Sequence, residues 1–257
     1  MTLLLSARRS FWRSALACAL LLSLFAQARS AHAQAIMVAS SESFKPYAAL
    51  IEDLLREAGF EPRIEYYPTE RSFQMLVDGQ VDMEFFRTQR AVEAINDKIT
   101  LIGPVTCSEL VAFKRTDSAF VIQKPEDLSK YRIAAQNGNK FAVSLATRHG
   151  DATLPPNTEN LFRMLDAGRF DIAIETERTG LTQIKKLELQ NSVKRIGPIL
   201  AMEPAYLVLR NHIDTWGPRI KKVFAKRKSS GKWTAQYGEI SVSLGLPRDI
   251  AQNCMTK

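Results

Sequence analysis

Apolar and polar positions alternate along the chain in two rhythms. A short apolar run at Ile36-Met37-Val38-Ala39 reads as a strand, and a polar loop from Ser40 to Pro46 follows it. From about Tyr47 the period lengthens: Leu50, Ile51, Leu54, Leu55 and Ala58 fall on one helical face, and Gly59 stops the helix. Ile64 and Tyr66 alternate with charged residues in a second strand. Arg71 to Val77 reads as a helix closed by Gly79, and Val81 to Phe86 as a third strand. Strand-helix-strand-helix-strand is the order of a mainly parallel α/β sheet.

One stretch of this pattern occurs twice. Phe73 to Asp82 and Phe162 to Asp171 share the frame F-x-M-L-x-x-G-x-(apolar)-D, 89 residues apart. Ile102-Gly103-Pro104-Val105 with Glu109 recurs as Ile196-Gly197-Pro198-Ile199 with Glu203, 94 residues on. Two ordered matches predict two similarly built α/β lobes. In each frame the glycine ends a helix in the left-handed region. Asp82 and Asp171 are expected to bond backbone amides where the next strand opens.

The first forty residues follow another logic. Arg8, Arg9 and Arg13 precede an apolar run from Ala15 to Ala26, and Ala31-His32-Ala33 follows with small residues at both positions a signal peptidase reads. This is the order of a cleavable secretory leader over residues 1–33, with Ala33-Gln34-Ala35 as an alternative site. The run is shorter than the roughly 20 residues a membrane helix needs. Cys18, inside the run, is not a lipoprotein site. Loss of the leader's four arginines halves the net charge from +8 to +4. The remaining charge carries no basic-aromatic stripe, so nucleic acid is not an expected partner. Cys107 and Cys254 remain, an even pair in an oxidising compartment, and can form a disulfide or stay as free thiols. No Walker loop, G-x-G-x-x-G fingerprint or histidine spacing for a metal occurs, and no cofactor is expected.

The ordered segments resemble the periplasmic solute-binding proteins of family 3, the amino-acid-binding components of ABC importers. Val38 to Tyr47 looks like that family's first strand and aromatic ligand loop, and Leu76-x-x-Gly79-x-Val81-Asp82 like its helix-to-strand junction. Ile102-Gly-Pro-Val resembles the first hinge crossing. Pro125 to Leu128 and Ile133 to Gly138 resemble the start of the second lobe, and Ala167 to Thr176 its second ligand strand. Ile220 to Gly231 with Trp233 to Ile240 resembles the closing helix pair. The resemblance implies a two-lobed type II periplasmic-binding-protein fold, with lobe 1 at 36–107 and 207–257 and lobe 2 at 108–206. It also implies a monomer in the periplasm that closes on a small carboxylate-bearing solute, an amino acid or related organic acid, and delivers it to a membrane permease.

The resemblance places ligand contacts at Phe44, Tyr47, Arg71, Arg87, Asn139, Glu175 and Thr176. An aromatic after the first strand can stack on a ligand, though Tyr47 can equally be the first core residue of its helix. A guanidinium binds a carboxylate bidentately, and Arg87 lies nearer its strand end than Arg90. Asn139 can cap a helix whose free amides seat an anion. Glu175 precedes Thr176 where the family usually places an aspartate for the ligand's ammonium; Glu84 is a second carboxylate to weigh. Two other functions share this fold: an exported cyclohexadienyl-dehydratase-like enzyme with a cleft glutamate as acid, and a sensory domain with a degenerate cleft.

Overall fold

The computed structural model describes residues 33–211 and 215–248. The expected leader therefore lies outside the described residues but for Ala33, and so does Cys254. Of the described residues, those from Ala35 onward form one compact unit. Its eight strands, β1 (Gln34–Ser41), β2 (Phe60–Tyr67), β3 (Met83–Thr88), β4 (Ile99–Arg115), β5 (Ile133–Ala135), β6 (Ala152–Thr153), β7 (Ile172–Thr176) and β8 (Val193–Arg210), form one sheet in the order β2-β1-β3-β8-β4-β7-β5-β6. Seven α-helices accompany them among the described residues: α1 (Ala48–Glu57), α2 (Thr69–Val77), α3 (Lys140–Arg148), α4 (Thr158–Asp166), α5 (Glu177–Lys186), α6 (Trp216–Ser229) and α7 (Lys232–Ser243). None is long and apolar enough to cross a membrane.

The outer strands are parallel, β1 with β3 at one end and β7 with β5 and β6 with β5 at the other. The central pair, β4 and β8, is antiparallel, 17 and 18 residues long, and runs from one half to the other. β8 pairs with β3 and β4 with β7, so these two strands join the halves. Their register breaks between Ile102 and Thr106, where Gly103-Pro104 interrupts the ladder.

Side chains of successive strand residues point to opposite faces, and the core obeys this at both ends. Leu110, Ala112, Ile172 and Ile174 pack on one face of the second half, while Val111, Phe113 and Ala173 pack on the other. In the first half Leu207 and Leu209 join the cluster of Ile36, Val38 and Trp233, and Val208 joins Ala39, Leu76 and Val81 behind the sheet.

The repeated frame builds the same junction twice. Gly79 (φ +75°) and Gly168 (φ +69°) end α2 and α4. The Gln80 amide donates to Met75 O at 2.9 Å and the Arg169 amide to Met164 O at 3.0 Å, the hydrogen bond of a Schellman cap. A guanidinium, Arg210 at Gly79 and Arg115 at Gly168, fills the space a Cβ would need. Asp82 Oδ2 accepts from the Met37 amide at 2.7 Å, and Asp171 Oδ2 from the Arg132 amide at 3.0 Å. Both aspartates therefore lock the start of one strand to the strand beside it, the structural role expected of them.

Two boundaries differ from the sequence expectation. α2 begins at Thr69, two residues before Arg71, because Pro68 supplies the non-helical residue that starts it. The loop before α1 is wound as a 3-10 helix, Glu42–Tyr47, capped by Ser41 accepting from the Ser43 amide.

Candidate functional site

Ligands of open α/β sheets lie beyond the carboxyl ends of the strands, and here four such ends converge on one cleft. Ser41 and Phe44 reach it from β1, Glu84 and Arg87 from β3, Gln136 and Asn139 from β5, and Glu175 and Thr176 from β7. The two walls touch: Lys140 Nζ lies 3.5 Å from Glu70 Oε2, and a Cβ on Gly138 would come within 3.4 Å of Thr69. The space left between them is about 70 Å³.

Strand β3 supplies the first wall through a local irregularity. All six of its residues are buried, and Phe86 takes φ +65°, a conformation a bulky residue adopts at a cost of about 1–3 kcal/mol. The register with β8 slips at this point, between Phe85 and Arg87. The slip lets Glu84 and Arg87, which strict alternation would separate, meet on one side. Arg87 Nη2 lies 2.7 Å from Glu84 Oε1, and it donates to Thr69 O at 2.5 Å and Ser72 Oγ at 3.3 Å. Ser72 Oγ also donates to Glu84 Oε1. Glu84 is 1 % exposed and its second oxygen, Oε2, is buried without a hydrogen-bond partner.

The facing wall is built on helix and strand ends. Asn139 caps α3 through its Oδ1, which accepts from the Ala142 amide at 3.1 Å. Its Nδ2 donates to Glu175 Oε1 at 2.6 Å, so one side chain is both cap and wall. Glu175 Oε1 also accepts from the Thr176 amide at 2.7 Å and from Thr176 Oγ1 at 3.3 Å. Burial nevertheless dominates these bonds and pushes the Glu175 carboxyl up to about 7.

Beneath Phe44 lies a residue the sequence pattern did not single out. Arg178, in the first turn of α5, is 4 % exposed. Its guanidinium carbon sits 5.0 Å from the ring centre of Phe44, 5.3 Å from those of Tyr47 and Phe86, and 5.8 Å from that of Tyr237. Arg178 Nη1 donates to Tyr237 Oη, which also accepts from Thr106 Oγ1 at 2.9 Å, and Arg178 Nε is buried without a partner. Desolvation lowers its pKa, opposed by the nearby Tyr47 and Glu109. A guanidinium from the second half is thus held by rings of the first.

Five of the seven expected contact residues, Phe44, Arg87, Asn139, Glu175 and Thr176, line this one cleft. Tyr47 does not. It is fully buried, stacks near Tyr237 at 4.8 Å between centroids, and its hydroxyl lies 3.2 Å from Ser241 Oγ, so it is the core residue of the alternative reading. Arg71 does not either: α2 begins before it and turns it outward, exposed, over the Tyr67 ring at 5.1 Å. Arg90 pairs with Glu203 at 2.7 Å outside the cleft. Cys107, 1 % exposed in β4, is held in a disulfide.

Neither a family model nor a curated relative matches the sequence. Solved structures do match. An ancestral arginine-binding protein bound to arginine superposes with a TM-score of 0.68 at 15% identity, covering 81% of this chain and 99% of that one. An arginine third transport system periplasmic binding protein from Legionella pneumophila gives 0.67 at 15% identity, over 80% and 99%. A histidine kinase sensor domain with similarity to periplasmic binding proteins gives 0.68 at 21% identity, over 82% and 95%. Sheet order, twin crossing strands and these superpositions together establish that the chain has the two-lobed fold of the type II periplasmic binding proteins.

Proposed function

We propose that this protein is an extracytoplasmic solute-binding protein that captures a small carboxylate-bearing molecule, an amino acid or related organic acid, and delivers it to the permease of an ABC importer. The observation that carries the reading is one cleft walled from both halves, with Arg87 and Glu84 facing Asn139 and Glu175. A ligand touching both walls favours closure through that differential contact alone. Arg87 supplies the guanidinium for a carboxylate. Glu84 Oε2, buried and unsatisfied, and Glu175 are the acceptors for a ligand nitrogen. Burial holds the Glu175 carboxyl up at about 7, and a cationic nitrogen beside it would lower it again.

The remaining parts of the reading follow from it. Residues 1–33 are the export leader, removed after Ala33 or Ala35. The lobes are 36–107 with 207–257 and 108–206, Cys254 is the partner of Cys107, and the protein works as a monomer in the periplasm without a cofactor. A thermal-shift screen of amino acids, polyamines and organic acids tests the function, since a ligand that binds only the folded state raises apparent stability by mass action. Glu175→Gln weakens an amine-bearing hit and spares a simple carboxylate; equal losses for both remove the ammonium role.

The raised Glu175 carboxyl also favours a second reading, an acid catalyst for dehydration of a cyclic carboxylic acid, because a general acid works best with a pKa near the operating pH. Turnover of such an acid by the purified protein selects this reading; stoichiometric binding without product selects the first.

A further inference from the structure

The inner cleft is too small for most of the solutes its chemistry suits. Its volume of about 70 Å³ has room for about five waters, roughly 150 Å³ of liquid, which suits a small amino acid and leaves little for a long side chain. A second cavity of about 440 Å³ opens directly from it. Ser41, Ser43, Thr69, Gln136, Thr158 and Thr179 line both, so the two share a wall. A volume in this range, about 300–1,000 Å³, is that of a pocket for a whole small molecule rather than a solvent crevice.

The outer cavity has its own chemistry. Pro46, Pro68 and Pro156 and the rings of Tyr66 and Tyr67 give it rigid, flat, largely apolar walls. Glu42, Glu70, Glu159 and Lys186 line it, and two of the three carboxylates already have partners, Glu70 in Lys140 at 3.5 Å and Glu159 in Arg163 at 2.9 Å. Lys45 already lies over the Tyr66 ring, 5.6 Å from its centre, so that face has its cation. Gln183, on α5, has its amide nitrogen buried without a hydrogen-bond partner beside this space. A buried donor without an acceptor is unfavourable, and a rotation of the Gln183 side chain toward the cavity would let a carbonyl on a bound group satisfy it.

We propose that the outer cavity is a second subsite that holds the neutral second residue of a dipeptide-sized ligand, whose charged head fills the inner cleft; the proposal rests on the carboxylate-solute reading above. A peptide-linked residue brings the carbonyl that Gln183 lacks and a side chain for the tyrosine and proline walls. A long cationic side chain would have to compete with Lys140 and Arg163 for Glu70 and Glu159. The two-part space makes the ligand longer than a single amino acid.

Titration calorimetry on the full chain, with the twenty L-amino acids and the dipeptides Gly-Tyr, Tyr-Gly, Ala-Phe and Phe-Ala as probes, tests this. At least one dipeptide is expected to bind about tenfold or more tightly than either of its amino acids. Thr182→Trp, which fills the outer cavity from α5, is expected to weaken that dipeptide about tenfold and leave any amino-acid affinity within about twofold. Tyr66→Ala gives the same split by removing a wall rather than filling the space. Amino acids that bind as well as the dipeptides, with Thr182→Trp without effect, overturn the subsite while the solute-binding reading stands. Silence from every probe overturns the subsite, and the solute-binding reading falls with it only if the organic acids of the thermal-shift screen are silent too.

Discussion

Replacing Glu175 by glutamine is expected to flatten the protein's pH dependence of stability. The side chain is 2 % exposed and keeps its three donors, Asn139 Nδ2, the Thr176 amide and Thr176 Oγ1, around one oxygen that a glutamine carbonyl reproduces. In the folded chain burial raises its carboxyl from the ordinary 4.5 to about 7, while in the unfolded chain it titrates near the ordinary value. Between those two values the folded state holds the proton more tightly, so stability is full at and below about pH 4.5 and is lost as pH rises through about 7. The shift corresponds to about 3 kcal/mol, at about 1.4 kcal/mol per unit. Urea unfolding followed by the fluorescence of the buried Trp216 and Trp233 reads this directly. At pH 5 the two proteins differ little, and at pH 8 Glu175→Gln is the more stable by about 3 kcal/mol, a rise in Tm of about 6–12 °C for a chain of this size. Other titrating groups contribute to both proteins and cancel in the comparison. An identical pH slope in wild type and variant would falsify the burial argument.

Arg87→Ala leaves the buried Glu84 carboxylate without its partner and is expected to cost about 3–5 kcal/mol in urea unfolding; adding Glu84→Gln restores most of it, and a double variant no better than the single one contradicts the pairing. Arg178→Ala removes a guanidinium packed among four rings and is expected to destabilise by about 2–4 kcal/mol, read by the same unfolding curve; a loss under about 0.5 kcal/mol means the cage holds nothing. Gly79→Ala and Gly168→Ala each force a left-handed residue against a guanidinium, so both should lower stability by about 1 kcal/mol or more, and a neutral result at either breaks the equivalence of the two junctions. Non-reducing peptide mapping of the purified protein is expected to yield a Cys107–Cys254 peptide; any other partner for Cys107 corrects the pairing.

Much of the fold was legible because it is written in local signals. The 3.6-residue period of Leu50 to Ala58, the glycine stops and the twice-used frame each dictate their own few residues, and the structure repeats the junction bond for bond at Gly79 and Gly168. The cleft was legible in part for the same reason. Phe44 and Asn139 follow strand ends and Glu175 lies at the end of one, positions a strand pattern locates. What escaped depended on contacts distant in sequence or on broken alternation. Arg71 was misplaced because α2 starts at Thr69 and rotates it to the outside. Glu84 and Arg87 share a side only because Phe86 takes a positive φ, which nothing in its residue type announces. Arg178 looks like any helix arginine until rings from residues 44, 47, 86 and 237 gather around it. The 3-10 turn before α1 was read as loop, although Ser41 already carried a cap for it.

The central claim is that one ligand is held from both walls of the cleft at once. Calorimetric titration of the strongest hit from the thermal-shift screen, against wild type, Phe44→Ala and Asn139→Ala, tests it most directly, because these residues line opposite walls. Each substitution is expected to weaken binding by about 1.4 kcal/mol or more, a factor of about ten. Binding unchanged by either substitution places the ligand elsewhere and contradicts the account.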